Sequence, residues 1–313
     1  MYYYLAYGLV VSSELELLEI APTANSIPAI SITAGRLEPE FIDLAWEGFR
    51  WRSDTNGVFL SWDTIGTFHV SSDGTRVVYD VEESVDRAWI RLAILGPVIS
   101  VAMWSRGYLV LHASASLVRD KACLFIGSGG AGKSTMVAAM HNSGFAPLCD
   151  DTVALAIDIS SSEPIRSYAG IPRLKLWPDS AQSTGHSVSE TEPIYTGHSK
   201  LSVVLVNDID RRHEPYVISN IFCLTIGDQL GIDRVSKKDA LLILLSNLYV
   251  SMMSKKLASK FAARDFQQCS RLLEQTDVVK LIRPEDLQLL PKVAALVDHY
   301  AATSAKADFQ NQI

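Results

Sequence analysis

Between Lys121 and Asp151 lies the stretch that most restricts the fold: Gly127, Gly132, Lys133 and Ser134 stand in the spacing G-x-x-x-x-G-K-S of a phosphate loop. The apolar run Ala122 to Ile126 precedes it and the helix-like run Lys133 to Asn142 follows, which is the strand–loop–helix context the motif requires. Backbone N–H groups along Gly127, Ser128, Gly129, Gly130, Ala131 and Gly132 can then turn inward as an anion nest at the positive end of a helix. In this pattern Lys133 reaches the outer phosphates, the Ser134 hydroxyl ligates Mg²⁺, and Thr135 follows in the first helical turn. The motif predicts binding of ATP with Mg²⁺.

Two carboxylates arrive soon after. Asp150 and Asp151 close the apolar stretch Phe145 to Cys149, itself preceded by Gly144, which suits a helix C-cap. One helix, a turn and one short strand make a βαβ unit, whose right-handed crossover lays the second strand parallel to the first in the same sheet. Both strands would end on one edge, with the Asp pair beside the phosphate cradle. One carboxylate there can hold Mg²⁺, and the other can accept the proton of an attacking hydroxyl. Adjacent acids at a strand end otherwise read as solvated turn residues; the neighbouring phosphate loop tips the reading towards chemistry.

The chain of 313 residues carries a net charge of −7, which argues against nucleic acid or an anionic membrane as its main partner. Local basic clusters occur at Arg211-Arg212, Lys237-Lys238 and Lys255-Lys256. Cys123, Cys149, Cys223 and Cys269 are far apart and mostly in apolar runs, so reduced thiols are expected rather than zinc ligands. The first residues lack a basic region and soon reach Glu14 and Glu16, unlike a signal peptide. Ala240 to Met253, interrupted by Ser246, Asn247 and Tyr249, is too short to span a bilayer. A cytoplasmic protein is expected.

No internal repeat is visible. Residues 1–98 read as a β-rich N-terminal domain: an aromatic and β-branched run at Tyr2 to Val11, and a hairpin in which Thr67 to Val70 and Thr75 to Val81 flank Ser-Ser-Asp-Gly. Trp46, Trp51, Trp62 and Trp89 read as its core. A helix from about Glu83 to Trp104, interrupted at Gly96-Pro97, leads to a catalytic domain over 99–313. There, strands are expected at Tyr108 to His112, Ser114 to Val118, Thr152 to Ile157, Ile165 to Tyr168, Ile171 to Trp177, Leu201 to Val206 and Tyr216 to Ile226. Ser180 to Ser199 reads as a long polar loop suited to a lid or substrate loop, and Asn207 to Pro215 as a turn. The rest reads helical apart from a strand at Val278 to Ile282. Several strands before the phosphate loop distinguish this mixed α/β pattern from folds in which the loop follows the first strand.

Taken together, Leu109 to Val153 resembles the catalytic core of HPr kinase/phosphorylases, a P-loop class related in fold to phosphoenolpyruvate carboxykinase. The resemblance implies that Asp150 is the base for a serine hydroxyl, that Asp151 serves the metal–phosphate site with Ser134, and that His112 sits near the base. Thr135 stands where that family usually has Glu, and the family's downstream docking signature and its usual N-terminal domain have no counterpart here. The whole chain is more similar to the HPr-kinase-like enzymes found with lasso-peptide biosynthesis. They share the N-terminal pattern at Tyr4 to Leu9, Leu-His-Ala-Ser at Leu111 to Ser114, and the segment Pro172 to Pro178. That likeness implies a kinase for a serine at the C-terminus of a precursor peptide.

Arg173 and Lys175 alternate on an expected strand and so share a face, where both could meet a phosphate or an acidic peptide end; solvated edge charges are the equal alternative. Lys200 and Arg211 are lesser candidates. Two other functions compete: a non-catalytic ATP-binding switch, which would need a metal ligand but no base, and a bifunctional kinase/phosphorylase acting on HPr. The expected partner is a peptide or HPr-like protein bearing a serine, and a homo-oligomer is compatible with the sequence.

Overall fold

The computed structural model describes residues 1–39, 43–46, 48–171, 173–185, 192–194, 199–204 and 214–310. Pro172, Arg211 and most of the expected turn at Asn207 to Pro215 lie outside them. The fold is mixed α/β. It begins with a sheet of β1 (Tyr2–Ala6), β2 (Leu9–Ser13), β3 (Ile30–Ala34), β4 (Asp43–Trp46), β5 (Phe49–Ser53), β6 (Gly57–Trp62), β7 (Gly66–Ser71) and β8 (Arg76–Asp80). Their spatial order is β1-β2-β3-β8-β7-β6-β5-β4. The run at Tyr2 to Val11 is folded back at Tyr7-Gly8 into a hairpin rather than continuing as one strand. The expected hairpin between β7 and β8 is present, with Val70 opposite Val77. Alternate side chains of these strands, among them Phe49, Leu60, Phe68 and Trp51, are buried, whereas Trp62 and Trp89 pack half-buried against that core.

The linking helix comprises α1 (Arg87–Ala93), one π turn (Ile94–Val98) and α2 (Ile99–Ser105). Pro97 has no N–H to give, so the helix widens instead of breaking, and Ile99 donates back to the Ile94 carbonyl. Arg87–Ser105 is the one described helix long and apolar enough to cross a membrane, and most of it is buried against protein. Both halves belong to the core of the first sheet, through Ile90, Ile94, Met103 and Trp104, so the expected boundary at residue 98 falls inside one packed unit.

The second sheet contains β9 (Leu109–Leu111), β10 (Ser114–Val118) and β11 (Lys121–Ile126). Arg119 and Asp120, both at positive φ, turn β10 tightly into β11. After α3 (Lys133–Asn142) come β12 (Pro147–Cys149), β13 (Val153–Ala156) and β14 (Arg166–Ser167). A small separate sheet follows, made of β15 (Arg173–Leu176), β16 (Glu192–Pro193) and β17 (Leu201–Val204), with the short helix α4 (Pro178–Ser183) between β15 and β16. The segment Ser180 to Ser199 is therefore not one loop: it opens in a helix with Pro178 in its first turn, and Glu192–Pro193 pairs with β17.

The chain then returns to the second sheet through β18 (Tyr216–Ile226) and β19 (Gly231–Arg234). Helices α5 (Lys237–Ser246), α6 (Tyr249–Met253), α7 (Lys255–Ala258) and α8 (Ala262–Gln275) precede β20 (Asp277–Arg283), and α9 (Leu290–Gln310) follows it. The order β12-β10-β11-β18 places the phosphate-loop strand parallel to β18, which is parallel in turn to β20. Buried on both faces, β11 sends Cys123 and Phe125 towards α3 and α9, and Leu124 and Ile126 towards α5 and α8. The strand β12 shares the direction of β11 and its sheet, as the crossover required, but it is not its neighbour. Antiparallel β10 lies between them.

Candidate functional site

The phosphate loop leaves β11 at Gly127 and enters α3 at Gly132, whose φ of 92° lies in the left-handed region. As the N-cap, Gly132 has no side chain to accept from the N–H groups of the first turn, so that end of α3 keeps donors for an anion. A Cβ added at Gly129 or Gly130 would meet nothing within 4 Å, so packing does not demand these glycines; the open space beside them is the cradle itself. Lys133 is buried and its ammonium donates to the carbonyls of Gly127 (3.0 Å) and Ser128 (3.2 Å). Burial lowers its pKa, and the charges of Asp151 and Asp150 offset part of that.

Arg283, at the end of β20, forms the floor of the loop. Its guanidinium donates to the carbonyls of Ala131 (3.0 Å) and Pro284 (3.2 Å), while its Nε is buried without a partner. Lys133 and Arg283 thus bring two cations into one cleft, each hydrogen-bonded to backbone carbonyls alone among the described residues. Together with the open cradle and the orphaned Nε, these two cations beside the loop fit a polyphosphate.

Both acids line the same cleft, which has a volume of ≈ 500 Å³. Asp150 is buried; its Oδ1 accepts from Ser114 (2.6 Å) and Ser134 (2.9 Å), and its Oδ2 from the Lys175 backbone N–H (3.1 Å). Burial, then the charge of Asp151, raises its pKa, and those three hydrogen bonds offset only part of the rise. Asp151 is more open. Its carboxylate pairs with His112 Nε2 (3.2 Å) and Lys175 Nζ (2.9 Å). Burial would push its pKa up, but Lys175 and His112 outweigh it and hold the carboxyl well below the usual carboxylate range. Lys175 is raised in turn, because Asp151, and then Asp150, more than offset the lowering that its burial would cause.

The backbone makes this division of partners. Thr152 N–H donates to the Asp150 carbonyl at 2.8 Å across a three-residue turn with Asp151 at its centre, at a φ of 68°. His112 and Ser114, two residues apart on the chain, reach the two acids separately: His112 meets Asp151 and Ser114 meets Asp150. The strand that intervenes between β11 and β12 is what brings Ser114 there.

The structure therefore gathers Gly129, Gly130, Gly132, Lys133, Ser134, His112, Asp150, Asp151 and Lys175 around one cleft, while Gly127, Ser128 and Ala131 line a neighbouring hollow. It distributes them differently from the expected roles: the Ser134 hydroxyl contacts Asp150, whereas Asp151 faces His112 and Lys175. Thr135 lines the cleft, but its hydroxyl donates to Ser180 (3.1 Å). Arg173 is not paired with Lys175 on a common ligand; its Nη1 donates to Ser202 (2.9 Å), and its Nε is buried without a partner beside a small hollow that also touches both acids. Lys200 stands at the rim, 5.3 Å from the centroid of the Trp177 ring. Three residues with roles here were not singled out from sequence as site residues: Ser114, Arg283 and Asn247, whose Oδ1 accepts the N–H of Gly127. The signal for Ser114 was its alternation with His112. Arg283 was marked only by its place before Pro284, and Asn247 only as a polar break in the apolar run 240–253.

Among the described residues no group of three or more His, Cys, Asp or Glu side chains is arranged to hold a metal ion. Ser134 and Asp150 offer two oxygen ligands beside the cradle, a donor set of the kind that holds Mg²⁺ together with phosphate oxygens. No known family model matches the chain, and no curated protein sequence does. Solved structures similar to it include the HPr(Ser) kinase/phosphatase from Coxiella burnetii, at 10% identity and a TM-score of 0.33, covering 65% of this chain and 96% of that one.

Proposed function

We propose that the chain is an ATP- and Mg²⁺-dependent P-loop kinase that transfers a phosphoryl group to the hydroxyl of a peptide serine, the serine being the C-terminal residue of a lasso-type precursor. The observation that carries this reading is the split Asp pair: one carboxylate tied to the phosphate-loop serine, its more open neighbour tied to an imidazole and an ammonium, both in one cleft. A regulatory switch needs the first and has no use for the second. The sequence likeness at Tyr4 to Leu9, Leu111 to Ser114 and Pro172 to Pro178 supports the choice of substrate.

In this reading Lys133, Arg283 and the N–H groups opening α3 hold the phosphates. Ser134 and Asp150 would hold the metal, which would supply charge neutralisation at the phosphates. That exchanges the roles expected from sequence, because all three hydrogen-bonding directions found at Asp150 point into protein, whereas Asp151 keeps exposed oxygen. Asp151 accepts the proton of the serine hydroxyl as its oxygen attacks phosphorus; the bond to the leaving oxygen breaks and ADP departs. Lys175 and His112 fix the orientation of that carboxylate. Lys175 is thereby committed to Asp151, leaving Arg173, with its unpartnered Nε, to receive the terminal carboxylate.

Incubation with ATP, Mg²⁺ and precursor peptides, followed by mass spectrometry, tests the proposal. A phosphate mass gain that disappears when the terminal serine becomes alanine is expected. Modification of HPr with none of any precursor peptide would overturn the choice of substrate in favour of a kinase/phosphorylase of HPr.

A further inference from the structure

Asp151 lines not one cavity but three. The first is the phosphate-loop cleft; the second is the small hollow beside Arg173; the third is a hollow of ≈ 270 Å³ on the far side of His112. Apart from His112 and Asp151, the wall of this third hollow consists of Trp62, Pro97, Tyr249, Met252 and Met253. It is assembled from distant parts of the chain: the end of β6, the π turn of the linking helix, and α6. Tyr249 stands edge-on to His112, with centroids 5.9 Å apart, and Met252 touches the Nδ1 edge of the imidazole while remaining 46% exposed.

We propose that this third hollow receives the apolar side chain of the residue immediately before the phosphorylated serine, and so sets the peptide preference of the enzyme. The proposal rests on the kinase reading above. The chemistry of the wall chooses the occupant. Among the described residues no lysine or arginine lines the hollow, and its one carboxylate repels an anion, so neither a phosphate nor a peptide carboxylate belongs there. What complements an apolar wall ending in a proton-accepting carboxylate is a neutral hydroxyl with an apolar neighbour. Consecutive Cα atoms lie about 3.8 Å apart; with the serine hydroxyl at Asp151, the preceding residue falls beside His112. The volume suits one large side chain rather than a folded domain, and two methionines let the wall adapt to different apolar shapes. With the terminal carboxylate directed to Arg173, the three hollows around Asp151 take the phosphates, the peptide end and the preceding side chain.

The test uses synthetic decapeptides ending in Gly-Ser, Leu-Ser, Phe-Ser or Asp-Ser, with the full-length protein, ATP and Mg²⁺, and compares initial rates. Leu-Ser and Phe-Ser peptides are expected to exceed Gly-Ser by about tenfold or more in kcat/KM, chiefly through KM, with Asp-Ser poorest. The exposure of Met252 makes Met252→Lys tolerable to the fold; this variant should place Asp-Ser above Leu-Ser while ATP affinity is unchanged. Equal kcat/KM for all peptides, or a Met252→Lys protein with the wild-type order, overturns the pocket and leaves the kinase reading standing. Dissociation of a dimer by Met252→Lys with the peptide order unmoved assigns the hollow to a second copy of the chain and also overturns it. Absence of transfer to every peptide overturns both.

Discussion

The side chain of Asn247 closes onto the first residue of the phosphate loop: its Oδ1 accepts the buried N–H of Gly127 at 3.0 Å. The backbone carbonyl of the same residue accepts the N–H of His112 at 2.8 Å, and its Nδ2 donates to the Ile243 carbonyl at 2.8 Å. One residue therefore ties the start of the phosphate loop, through its side chain, to His112, through its backbone. In Asn247→Leu the Gly127 N–H stays buried without an acceptor, which is expected to cost about 1–3 kcal/mol of stability. ATP affinity should fall with it. Urea unfolding alongside calorimetric titration with ATP and Mg²⁺ checks both; an unchanged unfolding midpoint would show that this bond holds nothing.

Lys133 and Arg283 both line the cleft and both hold carbonyls of the phosphate loop. Lys133→Ala and Arg283→Met are each expected to weaken ATP binding by about 1.5–3 kcal/mol, the range for hydrogen bonds to charged groups. Arg283→Met should also loosen the loop, since the guanidinium holds the Ala131 carbonyl. Calorimetry with ATP and with adenosine separates the effects: phosphate-dependent affinity falls in both variants, and adenosine binding is unaltered in Lys133→Ala.

The two acids should fail differently. Asp151→Asn is expected to bind ATP nearly as the wild type does while losing about 10²–10⁴ in transfer rate, the usual range for removal of a general base. Asp150→Asn should instead show a raised Mg²⁺ requirement, partly recovered by added Mg²⁺ or Mn²⁺. Rates measured across a metal titration distinguish them. If Asp150→Asn alone lost transfer irrespective of metal, the base would be Asp150, as first expected from sequence.

A pH profile reads the Lys175 contact. Because the pKa of Asp151 is depressed in the folded chain, its ionised form favours folding. That contribution is complete above the ordinary carboxylate value of about 3.9 and is lost as pH falls through the lowered one. Asp150 has the opposite sign. Its pKa is raised, so its contribution is complete below the ordinary value and is lost as pH rises through the raised one. Lys175→Met removes the positive charge that most lowers Asp151, and the acid limb of kcat should move to higher pH than in the wild type. A limb that stays in place would mean that Lys175 does not govern the proton acceptor.

Local periodicity made much of this architecture legible. The strand–loop–helix at Ala122 to Asn142, the hairpin at β7 and β8, and the Gly96-Pro97 irregularity all follow from patterns within a few residues. The insertion of β10 between β11 and β12 is a long-range pairing that no local pattern encodes, and it decides which residue meets Asp150. Asn247 and Arg283 join the loop from far along the chain, so their spacing from Gly127 carried no signature. The helix α4 was hidden in a polar segment, where Ser and Thr favour loops unless tertiary contacts such as that of Thr135 with Ser180 hold them.

Successive residues at the end of a strand face opposite sides of a sheet, so an ordinary extended Asp-Asp would place one charge in the cleft and the other behind it. The left-handed residue at 151 cancels that alternation. Two negative charges that share a peptide bond thereby look into the same space with separate retinues, hydroxyls around one and cations around the other. The distance between them is then bounded by the reach of two adjacent side chains rather than set by the packing of two elements. Breathing of the fold around the cleft changes what approaches this pair more readily than it separates the two carboxyl groups.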